Sequence, residues 1–176
     1  MTMRPTSAPV PAPWKERAAK LQHARAWQLD GRAAVSVGTE GWQASLDWRQ
    51  SGADTELHLA GPLGVGALVL KQTPDGLSLN GAPPSDAMLA QLQTRLGFDL
   101  PLHDLRYWLL GVPDPGSEFE LARDDQDRAQ QLMQAGWTVA YERYMAVGGD
   151  WLPARLVLTC PGVRVRVVVD RWQGLR

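Results

Sequence analysis

The sequence predicts a mainly β fold of about nine or ten antiparallel strands, interrupted by two short helices. From residue 32 onward, apolar and polar residues alternate in short blocks separated by turn residues, a pattern typical of half-buried strands in hairpins. Between two groups of such blocks, residues 85–110 change to the spacing of amphipathic helices. Sequential antiparallel strands tend to curl into a sheet or barrel, and an inserted helix pair would cover its open mouth.

Length and composition indicate one globular domain preceded by a tether. The chain has 176 residues, 44% hydrophobic and 21% charged, as in an ordinary soluble domain. A net charge of −1 gives no general attraction to nucleic acid or anionic lipid. Residues 1–13 are rich in proline and have no apolar stretch of a secretory signal. We therefore expect a flexible, unpacked tether over 1–13 and a single domain over 14–176.

The first half of the domain is predicted to form a helix followed by β-hairpins. Residues 14–29 are predicted to be helical, because Trp14, Ala18 and Leu21 share one face and Pro13 suits a first turn. Strict alternation then predicts strands at 32–37, 42–50, 55–59, 67–71 and 77–80.

The second half begins with the helix pair. Ser85 can cap a helix that ends at Gly97, and Pro101 can open a second helix over 102–110. Residues 124–134 fit either a helix or a hairpin, because good helix formers precede a glycine turn. Further strands are predicted from Trp137 onward, at 151–159 and at 163–172.

The sequence offers no catalytic centre, metal site or cofactor site. The single cysteine, Cys160, excludes an internal disulfide and a cysteine-based zinc site. His23, His58 and His103 are scattered and lack metal-ligand spacing, and no GxSxG nucleophile motif occurs. We therefore predict that the protein is not an enzyme.

Tryptophan and one loop are the unusual features. The eight tryptophans suit either an ordinary core or the lining of a ligand cavity. The segment 61–64 places Leu63 between proline and glycine at the tip of a loop between two strands. Because loop tips are usually polar, Leu63 either folds into the core or projects as an apolar finger for a membrane or a partner.

Several short segments, taken in order, resemble the LolB family. No single segment is specific for this family, but the ordered set, with the helix in its middle, is. The resemblance covers roughly residues 14–172 and rests on WQLDGR at 27–32, WRQ at 48–50, GPLG at 61–64, LPL at 100–102, LRYWLLGVP at 105–113, QAGW at 134–137 with Tyr141, LP at 152–153 and the strand 169–172.

This resemblance implies a fold and a function. The fold is an unclosed antiparallel β-barrel of about ten strands, with a short α-helical lid at 85–110 and an N-terminal helix. The function is to receive lipoproteins from the periplasmic carrier LolA, hold their acyl chains in a hydrophobic cavity, and insert them into the inner leaflet of the outer membrane without ATP. The loop Pro62, Leu63 and Gly64 would be the membrane-insertion element, and a monomer is expected.

The inward faces of the strands and of the lid would line the cavity. The candidate lining residues are Val35, Leu46, Trp48, Leu57, Leu59, Val69, Leu77 and Trp137 on the strands, with Leu89, Leu92, Leu105 and Trp108 on the lid. A shift of one residue in a strand would move its set to the outer face.

One departure from the family concerns membrane attachment. Family members carry a signal peptide that ends in an acylated cysteine, and no cysteine precedes the proline-rich segment here. We therefore expect the full-length protein to be held at the periplasmic face of the outer membrane by a lipid anchor that this chain lacks. The alternative is a periplasmic, lipocalin-like binder of small hydrophobic ligands, which would have no use for an exposed Leu63.

Overall fold

The computed structural model describes residues 13–61 and 66–176, and these ranges contain three helices and ten strands. The helices are α1 (Trp14–Gln22), α2 (Asp86–Leu96) and α3 (Leu102–Trp108). The strands are β1 (Ala26–Val37), β2 (Glu40–Ser51), β3 (Asp54–Ala60), β4 (Leu68–Thr73), β5 (Gly76–Leu79), β6 (Phe119–Arg123), β7 (Ala129–Gln134), β8 (Trp137–Val147), β9 (Asp150–Cys160) and β10 (Val163–Gln173).

All ten strands belong to one antiparallel sheet in the order β5-β4-β3-β2-β1-β10-β9-β8-β7-β6. Hairpins build each half, and pairing of β1 with β10 joins the two halves. Among the described strands, the edge strands β5 and β6 do not pair with each other, so the sheet stays open. The prediction of an unclosed antiparallel barrel with a helix pair between its two halves is confirmed.

A glycine allows the two halves to meet. The pairing of β1 with β10 shifts register between Asp30 and Gly31. A Cβ atom at Gly31 would collide with the carbonyl oxygen of Val168. Only a residue without a side chain fits this close approach of two backbones.

Strand register places apolar side chains in continuous rows across the inner face. Directly paired residues point to the same side of an antiparallel sheet, so the pairings trace each row. One row runs through Trp42, Val35, Val165, Leu158, Val139, Leu132 and Leu121. These residues belong to a single hydrophobic cluster with the two later helices or pack against it.

The N-terminal helix is shorter than predicted. It ends at Gln22, and residues 26–29, predicted as its last turn, are the start of β1. Leu29 pairs with Trp48 of β2 and with Trp172 of β10. Because backbone hydrogen bonds are available on both sides, the extended conformation prevails over helical propensity there.

The ambiguous stretch 124–134 is a hairpin turn followed by β7. The Asp124 carboxylate accepts hydrogen bonds from the backbone N–H groups of Gln126 and Arg128, at 2.9 and 3.0 Å. Asp127 has a φ of 60°, a left-handed conformation that a helix interior does not contain. Local turn chemistry therefore decides against the helix.

The two later helices form as predicted and lie over the inner face of the sheet. Ser85 caps α2 by accepting a hydrogen bond from the Met88 N–H at 3.0 Å, and Gly97 ends it with a φ of 87°. We call α2, α3 and the connecting residues 97–101 the lid. No helix within 13–61 and 66–176 is long and apolar enough to cross a membrane.

Candidate ligand cavity

An apolar cavity lies between the inner face of the sheet and the lid. Its lining residues are all apolar: Ala33, Val35, Trp42, Leu46, Trp48, Leu57, Leu59, Leu158, Val165 and Val167 from the sheet, with Leu96, Phe98, Leu100, Leu105 and Leu109 from the lid and the residue after it. No polar group in this lining could orient a polar ligand, so the cavity suits a hydrocarbon.

The cavity is closed in this structure. Its volume is about 50 Å³, whereas one water molecule, or a methylene group of similar size, takes up roughly 30 Å³. A long apolar chain therefore fits only after the lid has moved off the sheet.

The structure brings many of the predicted residues to this place. Val35, Leu46, Trp48, Leu57, Leu59 and Leu105 line the cavity. Leu92, Trp108 and Trp137 are buried in the same hydrophobic cluster without lining the cavity, and Leu77 is half-buried against the cluster.

Two predicted residues lie elsewhere. Val69 is half-buried, and its neighbours Leu68 and Leu70 are the buried residues of β4, so the prediction chose the wrong face of that strand. Leu89 is 49% exposed, because the buried stripe of α2 runs through Met88, Leu92 and Leu96. Neither residue faces the cavity.

Sequence reasoning missed other lining residues. Val165 and Val167 could have been found from the alternation of the last strand. Phe98 and Leu100 could not, because they lie in the irregular connection between the lid helices, where no period marks an inward face.

Aromatic side chains of the lid pack against Trp137 at the start of β8. The ring of Trp137 lies 5.9 Å from that of Phe98, edge to face, and 6.5 Å from that of Trp108. Trp27, Trp48 and Trp172 form a second cluster, with centroids 5.8 and 5.4 Å apart. Tryptophan therefore has both of the roles that the composition allowed. Trp48 lines the cavity, and Trp27 packs against it in the hydrophobic core.

A buried polar network fixes the C-terminal end of the lid. Gln134, 4% exposed, accepts hydrogen bonds from Trp108 Nε1 at 2.8 Å and the Asp114 N–H at 2.9 Å. Its amide donates to the Asp114 carbonyl at 2.8 Å and to the Ser117 hydroxyl at 2.9 Å. The Tyr141 hydroxyl donates to the Trp108 carbonyl at 2.6 Å. Such a satisfied network holds the end of α3 rigidly on the sheet.

The first helix of the lid, α2, is held to the sheet differently. At the end of α2, the Trp42 indole donates to the Leu96 carbonyl at 3.2 Å, and Arg95 donates to the Gly66 carbonyl at 3.3 Å. Otherwise α2 is held to the sheet by burial of the apolar side chains Met88, Leu92 and Leu96. Helix α2 is therefore held mainly by apolar burial, whereas the end of α3 is held by a buried hydrogen-bond network.

The predicted loop of Pro62, Leu63 and Gly64 lies outside the described residues. It follows Gly61, directly after β3, and precedes Gly66, whose carbonyl contacts Arg95 of α2. Gly66, the first described residue after the loop, therefore lies beside the C-terminal end of α2.

Two carboxyl groups interact beside α3: Asp104 belongs to the helix, and Asp114 follows it in the chain. Asp114 is 5% exposed, lies 3.2 Å from the His103 ring and accepts a hydrogen bond from the Gly116 N–H at 2.8 Å. Burial, then the hydrogen bond to Asp114 and repulsion by its charge, together raise the pKa of Asp104 to about 6, against a smaller lowering effect of His103. Asp104 is therefore about half protonated near pH 6.

The Asp104→Asn variant should be more stable than the wild type at neutral pH. Folded Asp104 holds its proton more tightly than the unfolded chain, where the pKa is 3.8, so its contribution to stability falls as pH rises from about 4 through 6. Asparagine stays neutral throughout. After a discount for solvent screening, we expect the free energy of unfolding to rise by about 1 kcal/mol, which is a melting temperature about 2–4 °C higher at pH 7.5.

Thermal denaturation at pH 5 and pH 7.5 checks this. The gain should shrink at pH 5, and Asp99→Asn, at an exposed position before the same helix, should show no such trend. An equal gain at both pH values would contradict the assignment.

Within the described ranges, no three His, Cys, Asp or Glu side chains are grouped to hold a metal ion. Burial raises the pKa of the Cys160 thiol, which keeps it in its unreactive form at neutral pH. The arrangement that remains is a hydrocarbon-lined cavity under a helical lid.

The fold is similar to that of a solved LolA superfamily protein from Nitrosomonas europaea. The TM-score is 0.56 at 10% identity, over 93% of this chain and 94% of that one. At this identity the likeness concerns the fold alone.

Sequence comparison identifies the family. The family model described as outer membrane lipoprotein LolB matches residues 25–172. Outer-membrane lipoprotein LolB of Nitrosococcus oceani is 38% identical over 91% of this chain and 82% of its own length. The protein of the same name from Pseudomonas aeruginosa is 34% identical over 91% and 80%. The chain therefore belongs to the LolB family of outer-membrane lipoproteins.

Proposed function

We propose that this protein receives lipoproteins from the periplasmic carrier LolA and delivers them to the outer membrane, holding their acyl chains in the cavity under the lid. Family membership supports a role as an outer-membrane lipoprotein receptor. The observation that carries the proposal is the cavity, whose entire lining is apolar.

Hydrophobic burial supplies the energy for binding. Each acyl methylene withdrawn from water contributes about 0.8 kcal/mol, so a chain of roughly 16 carbons gains about 10 kcal/mol or more when it is covered. Transfer then runs from the weaker to the stronger apolar site, and finally into the bilayer. Differences in affinity are enough to drive these steps, and we propose that no ATP is used and no bond is broken.

Loading requires the lid to open. The closed cavity of about 50 Å³ holds only one or two methylene-sized groups, at roughly 30 Å³ each. We propose that α2 swings away from the sheet while the Trp108–Gln134 contact stays in place as the hinge. Opening would uncover the inner rows of the sheet, and the cargo chains would replace the lid's own leucines as their apolar cover.

We propose that Leu63 inserts into the bilayer during delivery. Proline and glycine on either side leave an apolar side chain with few neighbours in the sequence to pack against, and Gly66, just after the loop, contacts Arg95 of the lid. The protein would work at the periplasmic face of the outer membrane as a monomer, with the proline-rich residues 1–13 as a tether to a lipid anchor in the full-length protein.

The test is a two-step transfer with a radiolabelled lipoprotein. Purified carrier loaded with cargo is mixed with this protein, and the complex is then given liposomes. Leu63→Glu should accept cargo as the wild type does but deliver it at least about tenfold more slowly, because a carboxylate enters hydrocarbon at a cost of about 2–3 kcal/mol.

Leu89→Glu is the matched control, since Leu89 is an exposed leucine on the outer face of the lid. It should accept and deliver normally. Slow delivery by both variants would contradict the role of the loop. A wild type that takes no lipoprotein but binds free fatty acid would replace the receptor by the lipocalin-like binder of small hydrophobic ligands.

A further inference from the structure

The edge strand β6 carries an aromatic side chain that has little cover. Phe119, its first residue, is 47% exposed, and Met133 on the neighbouring strand β7 is 45% exposed. Two large apolar side chains on neighbouring strands are thus exposed at one edge of the open sheet.

The pairing register shows that these two side chains point to opposite faces. Phe119 pairs with Gln134, and Gln134 pairs with Trp137, so the three share one face. Gln134 and Trp137 are buried beneath the lid, so that face is the inner one. Met133 pairs with Glu120 and alternates with Gln134, so it points outward. Phe119 therefore extends the inner face to the rim of the sheet.

A groove of about 1050 Å³, open to solvent, runs along this rim. Residues 115–120 and 133–138 line it, and Phe119 and Trp137 are both among them. Trp137 also contacts Phe98, which lines the closed cavity. The Trp137–Phe98 pair thus connects the lining of the groove to the lining of the cavity.

We propose that this groove is the port through which an acyl chain passes into and out of the cavity, with Phe119 as its first apolar contact and the Trp137–Phe98 pair as its gate. The proposal rests on the proposed function, since it gives that cavity a route. Three observations favour an acyl chain as the occupant. The groove adjoins the apolar lining of the cavity through the Trp137–Phe98 contact, Phe119 gives it an exposed apolar surface on the inner face of the rim, and no described strand pairs with β6 on its outer side.

A port residue has a kinetic signature that a cavity residue lacks. A side chain touched only in passage changes the height of the barrier, so it changes association and dissociation rates by the same factor. The equilibrium dissociation constant then stays as it was. A residue of the cavity wall would change that constant instead.

The experiment is stopped-flow quenching of tryptophan fluorescence by dibrominated stearate. Phe119→Asp should slow association and dissociation about tenfold each, because an acyl chain must pass a fixed carboxylate, and the dissociation constant should change less than about twofold. Gln131→Asp, which places the same charge on the outer face of the neighbouring strand β7 and outside the groove, should keep wild-type rates. Phe119→Leu should keep them as well, because the position needs an apolar surface.

The remaining outcomes overturn the proposal. Equal rates for Phe119→Asp and wild type would place the port elsewhere, while leaving the cavity and the proposed function intact. Equal slowing by Gln131→Asp would show that negative charge near the rim repels the anionic probe in general. A weaker dissociation constant for Phe119→Asp would make Phe119 part of the binding site. If the wild type binds no stearate, the cavity itself fails, and the proposed function with it.

Discussion

Oxidation of a Val37→Cys/Gly97→Cys double variant is expected to abolish lipoprotein uptake, and reduction is expected to restore it. A Cβ atom built at Gly97 would lie 3.6 Å from the Val37 Cβ. Disulfides span Cβ–Cβ distances of about 3.5–4.5 Å. The bond would tie the C-terminal end of α2, the helix that we propose to move, to the end of β1.

The size of the effect follows from the cavity. A lid locked on the sheet leaves a volume of about 50 Å³, which excludes a long acyl chain. The covalent bond cannot lengthen to let this end of α2 leave the sheet, so we expect uptake by the oxidised protein to fall to the background of a sample without cargo. Uptake from the loaded carrier, with and without reductant, is the measurement.

Two controls make the result interpretable. The variant is made with Cys160→Ser, so that no third thiol competes. The single Gly97→Cys variant reports the strain of a side chain at a φ of 87°, about 1 kcal/mol or more, which affects oxidised and reduced samples alike. If the oxidised double variant takes up cargo as well as the reduced one, the C-terminal end of α2 does not leave the sheet during loading.

The Gln134→Leu variant is expected to lose about 4 kcal/mol of stability and to melt about 10 °C below the wild type. Leucine has a similar size but leaves Trp108 Nε1 and the backbone N–H and carbonyl of Asp114 without their present partners. Each buried polar group left unpaired costs about 1–3 kcal/mol. Thermal and urea denaturation measure the loss.

Gln131→Leu is the matched control for this variant. Gln131 lies on the same strand as Gln134 but is exposed, so its replacement should change the melting temperature by no more than about 2 °C. We also expect Gln134→Leu to raise amide hydrogen exchange over 108–114, because the fixed end of the lid loses its anchor. Equal effects of both substitutions would contradict the role of the buried network.

Local patterns were enough to predict much of the architecture. Alternation along residues 32–59 and 163–172 predicted the strands, because a half-buried sheet imposes a period of two on any sequence that forms it. Ser85, Gly97 and Pro101 predicted the ends of the lid helices, because caps satisfy backbone groups within a few residues of themselves. The ordered LolB-like segments added the open barrel and its lid.

Long-range contacts settled the rest. Residues 26–29 are strand because β2 and β10 pair with them from both sides, 19 or more residues away in sequence. Val69 and Leu89 face away from the cavity because register and helix rotation are chosen by what packs on them. The anchor at Gln134, the aromatic pair of Phe98 and Trp137, and the placement of Phe119 on the inner rim join residues from distant parts of the chain. A period in the sequence shows that a side chain will be buried, but its partner across the core appears only when the sheet and lid are assembled.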